Sequence, residues 1–200
     1  DNEIIANFKN VSSAKLCTKI KNSTGVEVST IEHLMAAFYI CGIDNIVVNL
    51  NGPEVPIMDG SAKDFVKIIN SCGLKSLEGK RKFVKIKNKV ELKKKDGKAI
   101  SITPITQGFE TKFTLDYERN PLIGTQTNKV NFLNKNIEDI IKARTFCLFE
   151  DIEMIKSIGL AKGGSLDNAI VVKDKEILNK EGLRNKKEFV NHKILDCIGD

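Results

Sequence analysis

The first forty residues show a pattern of short strands followed by a helix. Apolar and polar positions alternate over residues 12–30 and are interrupted by turn-forming residues at 22–25, which predicts short strands joined by a turn. Ser29 is then expected to cap a helix, with Glu32 at the capping-box position. The apolar run after Glu32 extends this helix to Gly42, a residue suited to a C-terminal stop.

The next thirty residues predict a strand, a loop and a second helix. The apolar run 45–50 is expected to form a buried strand, and the Gly- and Pro-containing stretch 51–56 a rigid loop. Ser61 is placed to cap an amphipathic helix over 62–72. Three apolar residues of that helix are predicted to share its buried face: Phe65, Ile68 and Ile69.

The rest of the chain repeats this alternation. The pattern predicts strands at 83–93, 98–103, 109–116 and 167–172, and helices at 137–143, 152–158 and 187–198. Asp96-Gly97 lies between the first two of these strands, where a hairpin turn is expected. The similarity between 44–48 and 167–171 indicates two related halves, with the Lys-rich stretch 79–82 as the seam. This order is typical of an α+β protein with sheet and helix layers.

The composition excludes two broad classes of protein. With 200 residues, of which 41% are hydrophobic and 29% charged, the chain can bury a core and is not disordered as a whole. No stretch approaches the roughly 20 apolar residues of a membrane-spanning helix, so we expect no stable membrane insertion. A charged-then-apolar leader is also not seen, which favours a cytoplasmic protein.

The five cysteines indicate free thiols rather than disulfides. Their number is odd, they are widely spaced, and most lie in apolar runs. No C-x-x-C pair suggests a thiolate zinc site. We therefore expect reduced, buried thiols in a reducing compartment.

The net charge of +6 raises a nucleic-acid-binding module as an alternative function. The positive residues are nearly all lysine, with four arginines and no tryptophan. Because bases are usually recognised by arginine forks and aromatic stacking, this composition disfavours a nucleic-acid partner. Lysine runs such as 93–95 are more often the solvated face of a strand pair.

Only two histidines occur in the chain, and both have carboxylate residues nearby in sequence. His192 and Asp196 are four residues apart on a predicted helix, so their side chains project from one face. Such a pair can ligate zinc, and a third ligand would leave one tetrahedral position for water, as in catalytic sites. His33 is the natural third ligand, although it lies 159 positions from His192. A hydrogen-bonded surface pair and simple helix capping are the structural alternatives.

Six longer strings carry a resemblance to a known family. They are Val28–Leu34, Gly42–Asn45, Pro53–Ser61, Ala143–Phe146, Gly163–Ala169 and His192–Asp196. In these strings the chain closely resembles the bacterial UDP-3-O-acyl-N-acetylglucosamine deacetylases, the zinc enzymes that commit lipid A synthesis in Gram-negative bacteria. The strings occur in family order, and the resemblance covers essentially all 200 residues.

The resemblance implies a fold and a reaction. The fold would be α+β, with two similar two-layer sheet-and-helix domains and the active site between them. The first domain would span 1–80 and the second 81–200, with an insert near 147–165 that builds the acyl-chain tunnel. The reaction would be hydrolysis of the N-acetyl group of UDP-3-O-(3-hydroxyacyl)-N-acetylglucosamine to acetate and the free amine. The protein would be a cytoplasmic monomer that works near the inner membrane.

The resemblance also assigns roles to individual residues. His33, His192 and Asp196 would ligate Zn²⁺, and Fe²⁺ suits the same ligand set. Glu32 would be the general base, with its carboxylate favoured by a helix N-terminus and a nearby cation. The other expected site residues are Thr145 for the oxyanion, Lys193 for catalysis and substrate binding, Phe146 and Lys98 for the substrate, and Asp200 as an orienting carboxylate.

One family residue has no counterpart in this sequence. Family members carry a further histidine, often assigned as the proton donor to the leaving amine, beyond the position that matches Asp200. Asp200 resembles the carboxylate that orients this histidine. We therefore expect the chain to be a piece of a longer protein that also lacks the opening strands of the first domain. A relative that binds nucleotide sugars without hydrolysing them is a further alternative.

Overall fold

The structure, a computed structural model, describes residues 2–134 and 137–200. Its helices are α1 (Glu32–Cys41), α2 (Lys63–Cys72), α3 (Glu138–Ile141), α4 (Ile152–Ser157) and α5 (Glu188–Gly199), with short 3₁₀ helices at Phe8–Asn10 and Phe149–Asp151. Its strands are β1 (Val11–Ser13), β2 (Lys19–Lys21), β3 (Glu27–Val28), β4 (Val90–Lys93), β5 (Ala99–Ile102), β6 (Glu110–Tyr117), β7 (Gly124–Asn131), β8 (Phe146–Leu148), β9 (Ile170–Lys173) and β10 (Glu176–Ile177). Helices and small sheets occur together, so the predicted α+β class is confirmed; the division into two similar domains stays a prediction.

The described strands form small sheets. β1, β2 and β3 form an antiparallel sheet in that order, while β9 pairs in parallel with β8 and antiparallel with β10. The pairs β4–β5 and β6–β7 are antiparallel hairpins. Between β4 and β5 the Gly97 N–H donates to the Lys94 carbonyl, and Gly97 has a φ of 85°. The hairpin turn predicted at Asp96-Gly97 is thus confirmed.

The start of α1 differs from the prediction, because Ser29 does not cap the helix. Among the residues that the structure describes, no side chain caps α1. Ser29 instead pairs through its backbone with Pro53 and Val55, at 3.0 and 3.1 Å. Thr30 adopts a φ of 60°, unusual for a β-branched residue, and turns the chain between this pairing and the helix. The predicted C-terminal stop is confirmed, since Gly42 is left-handed with a φ of 73°.

The segment 45–50 does not form the buried strand that its apolar pattern predicts. It has no regular structure, and no strand pairs with it among the described residues. Its apolar side chains are exposed, and Val47 has 84% of its surface accessible. An apolar run becomes a strand only where a neighbouring strand supplies hydrogen-bond partners, which the run itself cannot reveal.

Three further predictions need correction. β4 is confined to the end of the predicted strand 83–93. In α2, Phe65 and Ile69 pack toward the core as predicted, whereas Ile68 is exposed. The strand β7 is missing from the sequence prediction because most of its residues are polar. It forms because β6 pairs with it along its whole length.

The core beneath the candidate site lies between α1 and α5. Ala36 of α1 belongs to the same fully buried cluster as Ile194 and Leu195 of α5. Gly199 allows the two helices to approach closely, because a Cβ at this position would lie 2.0 Å from the Glu32 carbonyl oxygen. The absence of a side chain at Gly199 therefore sets the separation of the helices.

A second core forms where α5 packs against the strands. Phe189 and Val190 of α5 are buried with Leu115 of β6, Leu148 of β8 and Ile170 of β9. Helix α5 thus contributes to both cores. Its position is consequently determined from several sides at once.

The five cysteines are free thiols. The expectation that they are buried is wrong, because Cys72 and Cys197 are exposed and the other three are only partly buried. Within the part of the chain that the structure describes, we find no helix with the length and apolar character needed to cross a membrane.

Replacing Gly199 by alanine tests the close contact between α1 and α5. The added methyl group would push α5 away from the α1 backbone, so we expect the free energy of unfolding to fall by about 1–3 kcal/mol. Urea denaturation followed by circular dichroism measures this change. Gly79→Ala is the control, since nothing lies within 4 Å of a Cβ at Gly79 and the expected change is below about 0.5 kcal/mol. Equal stability of the two variants would contradict the contact.

Candidate metal centre

Three side chains from α1 and α5 converge on one point. His33 lies in the first turn of α1, while His192 and Asp196 lie one turn apart on α5. One ligand atom from each residue lies within 4.8 Å of the other two. The Nε2 atoms of His33 and His192 are 3.6 and 3.3 Å from Asp196 Oδ1. The structure thus brings together the three residues that the sequence predicts as ligands, from helices far apart in the chain.

His192 is held with a single ring nitrogen facing this cluster. Its Nδ1 lies 3.0 Å from the carbonyl oxygen of Ala143, which can only accept a hydrogen bond, so Nδ1 carries the proton and Nε2 has a free lone pair. The ring is 1% exposed, and burial lowers the pKa of His192 to about 3. The imidazole is therefore neutral at neutral pH, which is the form that binds metal ions.

Two buried polar atoms of the cluster, His33 Nδ1 and Asp196 Oδ1, have no hydrogen-bond partner among the described residues. Such atoms are rare in folded proteins and need an explanation. Burial raises the pKa of Asp196, but nearby charges, among them the Lys193 ammonium, outweigh burial and hold the pKa below its ordinary value. Two imidazole nitrogens and one carboxylate oxygen together form a ligand set that fits Zn²⁺ or Fe²⁺.

Glu32, which adjoins the first of these histidines, is held by Thr18. The Thr18 N–H donates to Glu32 Oε2 at 3.1 Å, and the Thr18 hydroxyl donates to Asp200 Oδ1 at 2.6 Å. Burial raises the pKa of both carboxyl groups, and these hydrogen bonds offset part of the rise. Sequence reasoning missed Thr18, because no motif or spacing marks it. It also could not show that burial opposes the ionised form of Glu32.

Lys193 and Phe146 lie at the partly exposed side of the cluster. Lys193 Nζ is 2.9 Å from Asp196 Oδ2 and 5.5 Å from the centre of the Phe146 ring. The Phe146 ring meets the His192 ring edge-on, with 6.4 Å between their centres. Since the Lys193 side chain is 37% exposed, its ammonium can also reach a charged ligand.

Thr145 is fixed through its backbone, two residues from the Ala143 carbonyl that holds His192. Its N–H donates to the Gly60 carbonyl, and its own carbonyl accepts from the N–H of Ile170, both at 2.8 Å. Gly60 has no room for a side chain, because a Cβ there would lie 2.1 Å from the Asn168 carbonyl oxygen. Thr145 therefore lies where a loop from the first part of the chain meets β9.

Lys98 lies next to the turn between β4 and β5. Its ion pair is with Asp96, at 2.9 Å, rather than with the cluster, and its side chain is 80% exposed. The geometry of the cluster thus gives no support to its expected contact with substrate, which stays a prediction.

A further ion pair joins the loop before α2 to the loop before α5. Arg184 Nη2 is 2.9 Å from Asp59 Oδ2, while Asp59 Oδ1 accepts from the N–H and hydroxyl of Ser61 at 3.1 and 2.7 Å. Burial raises the pKa of Asp59, but Ser61 and Arg184 outweigh it and hold the pKa below its ordinary value. Ser61 in turn accepts from the Lys63 N–H at 3.2 Å, close to its predicted role at the start of α2.

The Asp59–Arg184 pair predicts a pH dependence of stability. Because the folded-state pKa is lowered, the contribution of Asp59 is present above the ordinary value of 3.8 and is lost as the pH falls through the lower folded value. Asp59→Asn should reduce the free energy of unfolding by about 1–2 kcal/mol at pH 7. The reduction should become progressively smaller as the pH falls below the ordinary carboxyl pKa of 3.8. Urea denaturation between roughly pH 2.5 and pH 7, the range in which carboxyl groups titrate, measures the difference. Asp167→Asn, at an exposed carboxylate, is the control; a constant difference at all pH values would contradict the assignment.

The cluster predicts that the folded chain binds about one zinc ion. His192→Ala should abolish this binding, because it removes one of three converging ligands. Metal content after dialysis, measured by atomic absorption, gives the result directly. Asp116→Ala removes an exposed carboxylate on β6 and should leave the metal content unchanged. Zinc retained by a folded His192→Ala chain would exclude this ligand set.

The chain as a whole corresponds to one protein family. The family model described as LpxC, UDP-3-O-acyl N-acetylglycosamine deacetylase, matches residues 1–200.

Several relatives named UDP-3-O-acyl-N-acetylglucosamine deacetylase are similar over nearly all of this chain. The protein of Wigglesworthia glossinidia brevipalpis is 46% identical over 202 residues, which cover 99% of this chain and 67% of the relative. Those of Nautilia profundicola and Pasteurella multocida are 50% and 45% identical, cover 95% and 98% of this chain, and are each covered over 64% of their own length. The chain therefore spans about two thirds of the length of these curated relatives. Because the family model matches its full length, the chain belongs to the UDP-3-O-acyl-N-acetylglucosamine deacetylase family.

Proposed function

We propose that this chain carries the metal centre of a UDP-3-O-acyl-N-acetylglucosamine deacetylase. The reaction adds water across the N-acetyl amide and gives acetate and the free amine, as the committed step of lipid A biosynthesis. The observation that carries the proposal is the convergence of His33, His192 and Asp196 beside Glu32 in a member of this family. The names of the relatives support the same substrate.

His33, His192 and Asp196 would hold the metal ion. Two imidazoles and one carboxylate suit zinc, which we propose as the resident ion, and they suit ferrous iron as well. When bound, the ion would lower the pKa of water toward about 7 and polarise the amide carbonyl. The buried Asp196 Oδ1, which has no hydrogen-bond partner among the described residues, supports this assignment because a bound cation would satisfy it.

Glu32 would be the general base that takes a proton from the attacking water. The Thr18 N–H fixes one of its carboxylate oxygens, and burial raises its pKa toward the working pH. A base whose pKa lies nearer the working pH transfers protons more effectively in both directions. Asp200, bound to the hydroxyl of the same threonine, would orient the downstream histidine of the family.

Thr145, Lys193 and Phe146 would contact the substrate around this base. The Thr145 hydroxyl would donate to the carbonyl oxygen as it gains negative charge. The partly exposed Lys193 ammonium would bind the charged part of the substrate as a point charge, and Phe146 would pack near its sugar and nucleotide end.

An apolar cavity of about 280 Å³ supports binding of the acyl chain. Its apolar lining includes Phe149, Ile152, Ile155, Leu166, Val171 and Leu178. Three of these residues lie in the segment 147–165, to which the resemblance assigns the acyl tunnel. The cavity is also close to the cluster in sequence. Its lining residue Phe149 directly follows β8, and the first residue of β8, Phe146, packs against His192. A lining of this kind suits a hydrocarbon chain.

We further propose domains at 1–80 and 81–200 with the active site between them, in a monomer that acts in the cytoplasm near the inner membrane. One ligand from the first range and two from the second support this arrangement. The excess of lysine is compatible with a diphosphate substrate taken from a membrane surface.

Glu32→Gln tests the proposed reaction in a chain extended through the family's downstream histidine. With the carboxylate removed as a base, acetate release from UDP-3-O-acyl-N-acetylglucosamine should fall by about 10²–10⁴-fold while zinc content is unchanged. Glu27→Gln, at a partly exposed glutamate paired with Lys19, is the matched control and should keep parental turnover.

The same extended chain without the substitution distinguishes the other functions in this experiment. Substrate binding without acetate release by the zinc-loaded chain would favour a non-hydrolytic nucleotide-sugar-binding relative. Metal-free binding of nucleic acid that weakens steeply with salt would favour the basic binding module. A folded, zinc-loaded chain that neither binds nor hydrolyses the substrate would exclude the proposal.

A further inference from the structure

A fully buried ion pair lies directly behind the metal cluster. Arg144 is 1% exposed and Glu188 is 0% exposed. Glu188 Oε1 accepts from the backbone N–H and the Nε of Arg144, at 3.1 and 2.9 Å, and Oε2 accepts from Arg144 Nη2 at 3.2 Å. The backbone N–H of Arg184 also donates to Oε2. The carboxylate thus uses both oxygens and binds the backbone as well as the side chain of Arg144.

The rest of the Arg144 guanidinium is occupied too. Nη1 pairs with Glu181, and Nη2 donates to the Gly182 carbonyl at 2.7 Å. The planar fork therefore contacts α5 on one side and the loop before α5 on the other. An arginine satisfies several acceptors in such fixed directions, whereas a lysine presents a single rotatable ammonium.

Both sequence neighbours of Arg144 belong to the candidate site. Ala143, the residue before Arg144, supplies the carbonyl that holds His192 Nδ1. Thr145, the residue after it, is the proposed oxyanion donor. Glu188 lies one helical turn before His192 on α5, so both side chains project from the same face. The segment 143–145 is consequently clamped to the helix that carries two of the three ligands.

The energetics of buried ion pairs favour an orienting role. Replacing such a pair by well-packed apolar residues often leaves a protein equally stable, so stability alone gives weak reason for burying two charges. A fork that makes several directed hydrogen bonds does fix the relative position of the segments that it joins. Partners that orient metal ligands typically change metal affinity or activity by about 10–100-fold when they are removed.

We propose that Arg144 and Glu188 are positioning residues that hold the Ala143 carbonyl against His192 and thereby set the direction of its metal-facing nitrogen. The inference rests on the proposed metal centre and adds the groups that orient it. It requires the ion pair to affect the metal itself, beyond any contribution to the stability of the chain.

Arg144→Lys, which keeps the charge and removes the fork, is the principal test. The dissociation constant for Zn²⁺ is measured by competition with a chromophoric chelator, and the visible absorption spectrum of the Co²⁺-loaded chain reports the ligand geometry. We expect zinc affinity to fall by about 10–100-fold and the cobalt bands to shift. Arg119→Lys is the matched control, since Arg119 pairs with Asp151 at 2.9 Å on the surface and should leave both readouts at parental values.

The outcomes separate this inference from the metal centre on which it rests. Parental zinc affinity and an unchanged cobalt spectrum in Arg144→Lys would overturn the positioning role, even if the unfolding temperature falls. Parental zinc affinity in His192→Ala would overturn the metal centre, and the inference with it. If Arg144→Lys does not fold, Glu181→Gln decides, because it weakens the fork from its exposed end without leaving a deeply buried charge unpaired. Weakened zinc binding there supports the inference, and unchanged binding overturns it.

Discussion

The close packing of α1 on α5 is the contact on which the candidate site depends. His33 is carried by one helix, and His192 and Asp196 by the other, so the separation of the helix backbones sets the distances between their ligand atoms. Gly199 brings the two backbones together beside the Glu32 carbonyl. Metal–ligand distances tolerate deviations of only about 0.2 Å, which is far less than the space that a methyl group occupies. The absence of a side chain at Gly199 thus helps to set the distance between the ligand atoms of Asp196, three residues earlier on α5, and His33 on α1.

Polar and charged groups that are buried or partly buried connect segments of this protein that are distant in the sequence. Arg144 joins the segment before β8 to α5 through Glu188, Arg184 joins the loop before α5 to the loop before α2 through Asp59, and Thr18 joins Glu32 to Asp200. The exposed pair Lys98–Asp96, in contrast, links close neighbours, and exposed pairs of this kind contribute little to stability. These directed contacts therefore fix the relative positions of the segments around the cluster.

Local features of the fold could be predicted from the sequence, and contacts between distant segments could not. The spacing of His192 and Asp196, the stop at Gly42 and the turn at Asp96-Gly97 depend on residues within one turn of each other, and all three are present. The run 45–50 and the polar strand β7 were assigned wrongly or missed, because strand formation depends on a partner elsewhere in the chain. The longer family strings identified the candidate ligands. They gave no indication of Thr18, or of the burial that raises the pKa of Glu32.

At the proposed metal centre, the separation of the ligands along the chain would link the metal supply to the amount of folded protein. His33 and His192 are 159 positions apart, so an ion that joins them acts as a cross-link closing a loop of most of the chain. An ion that binds only the folded state stabilises it by about 2.7 kcal/mol when its free concentration is a hundred times its dissociation constant. Cleavage by proteases commonly follows the population of opened molecules. If the proposed ion is the resident one, a cell short of it would lose the protein by degradation as well as losing the proposed activity.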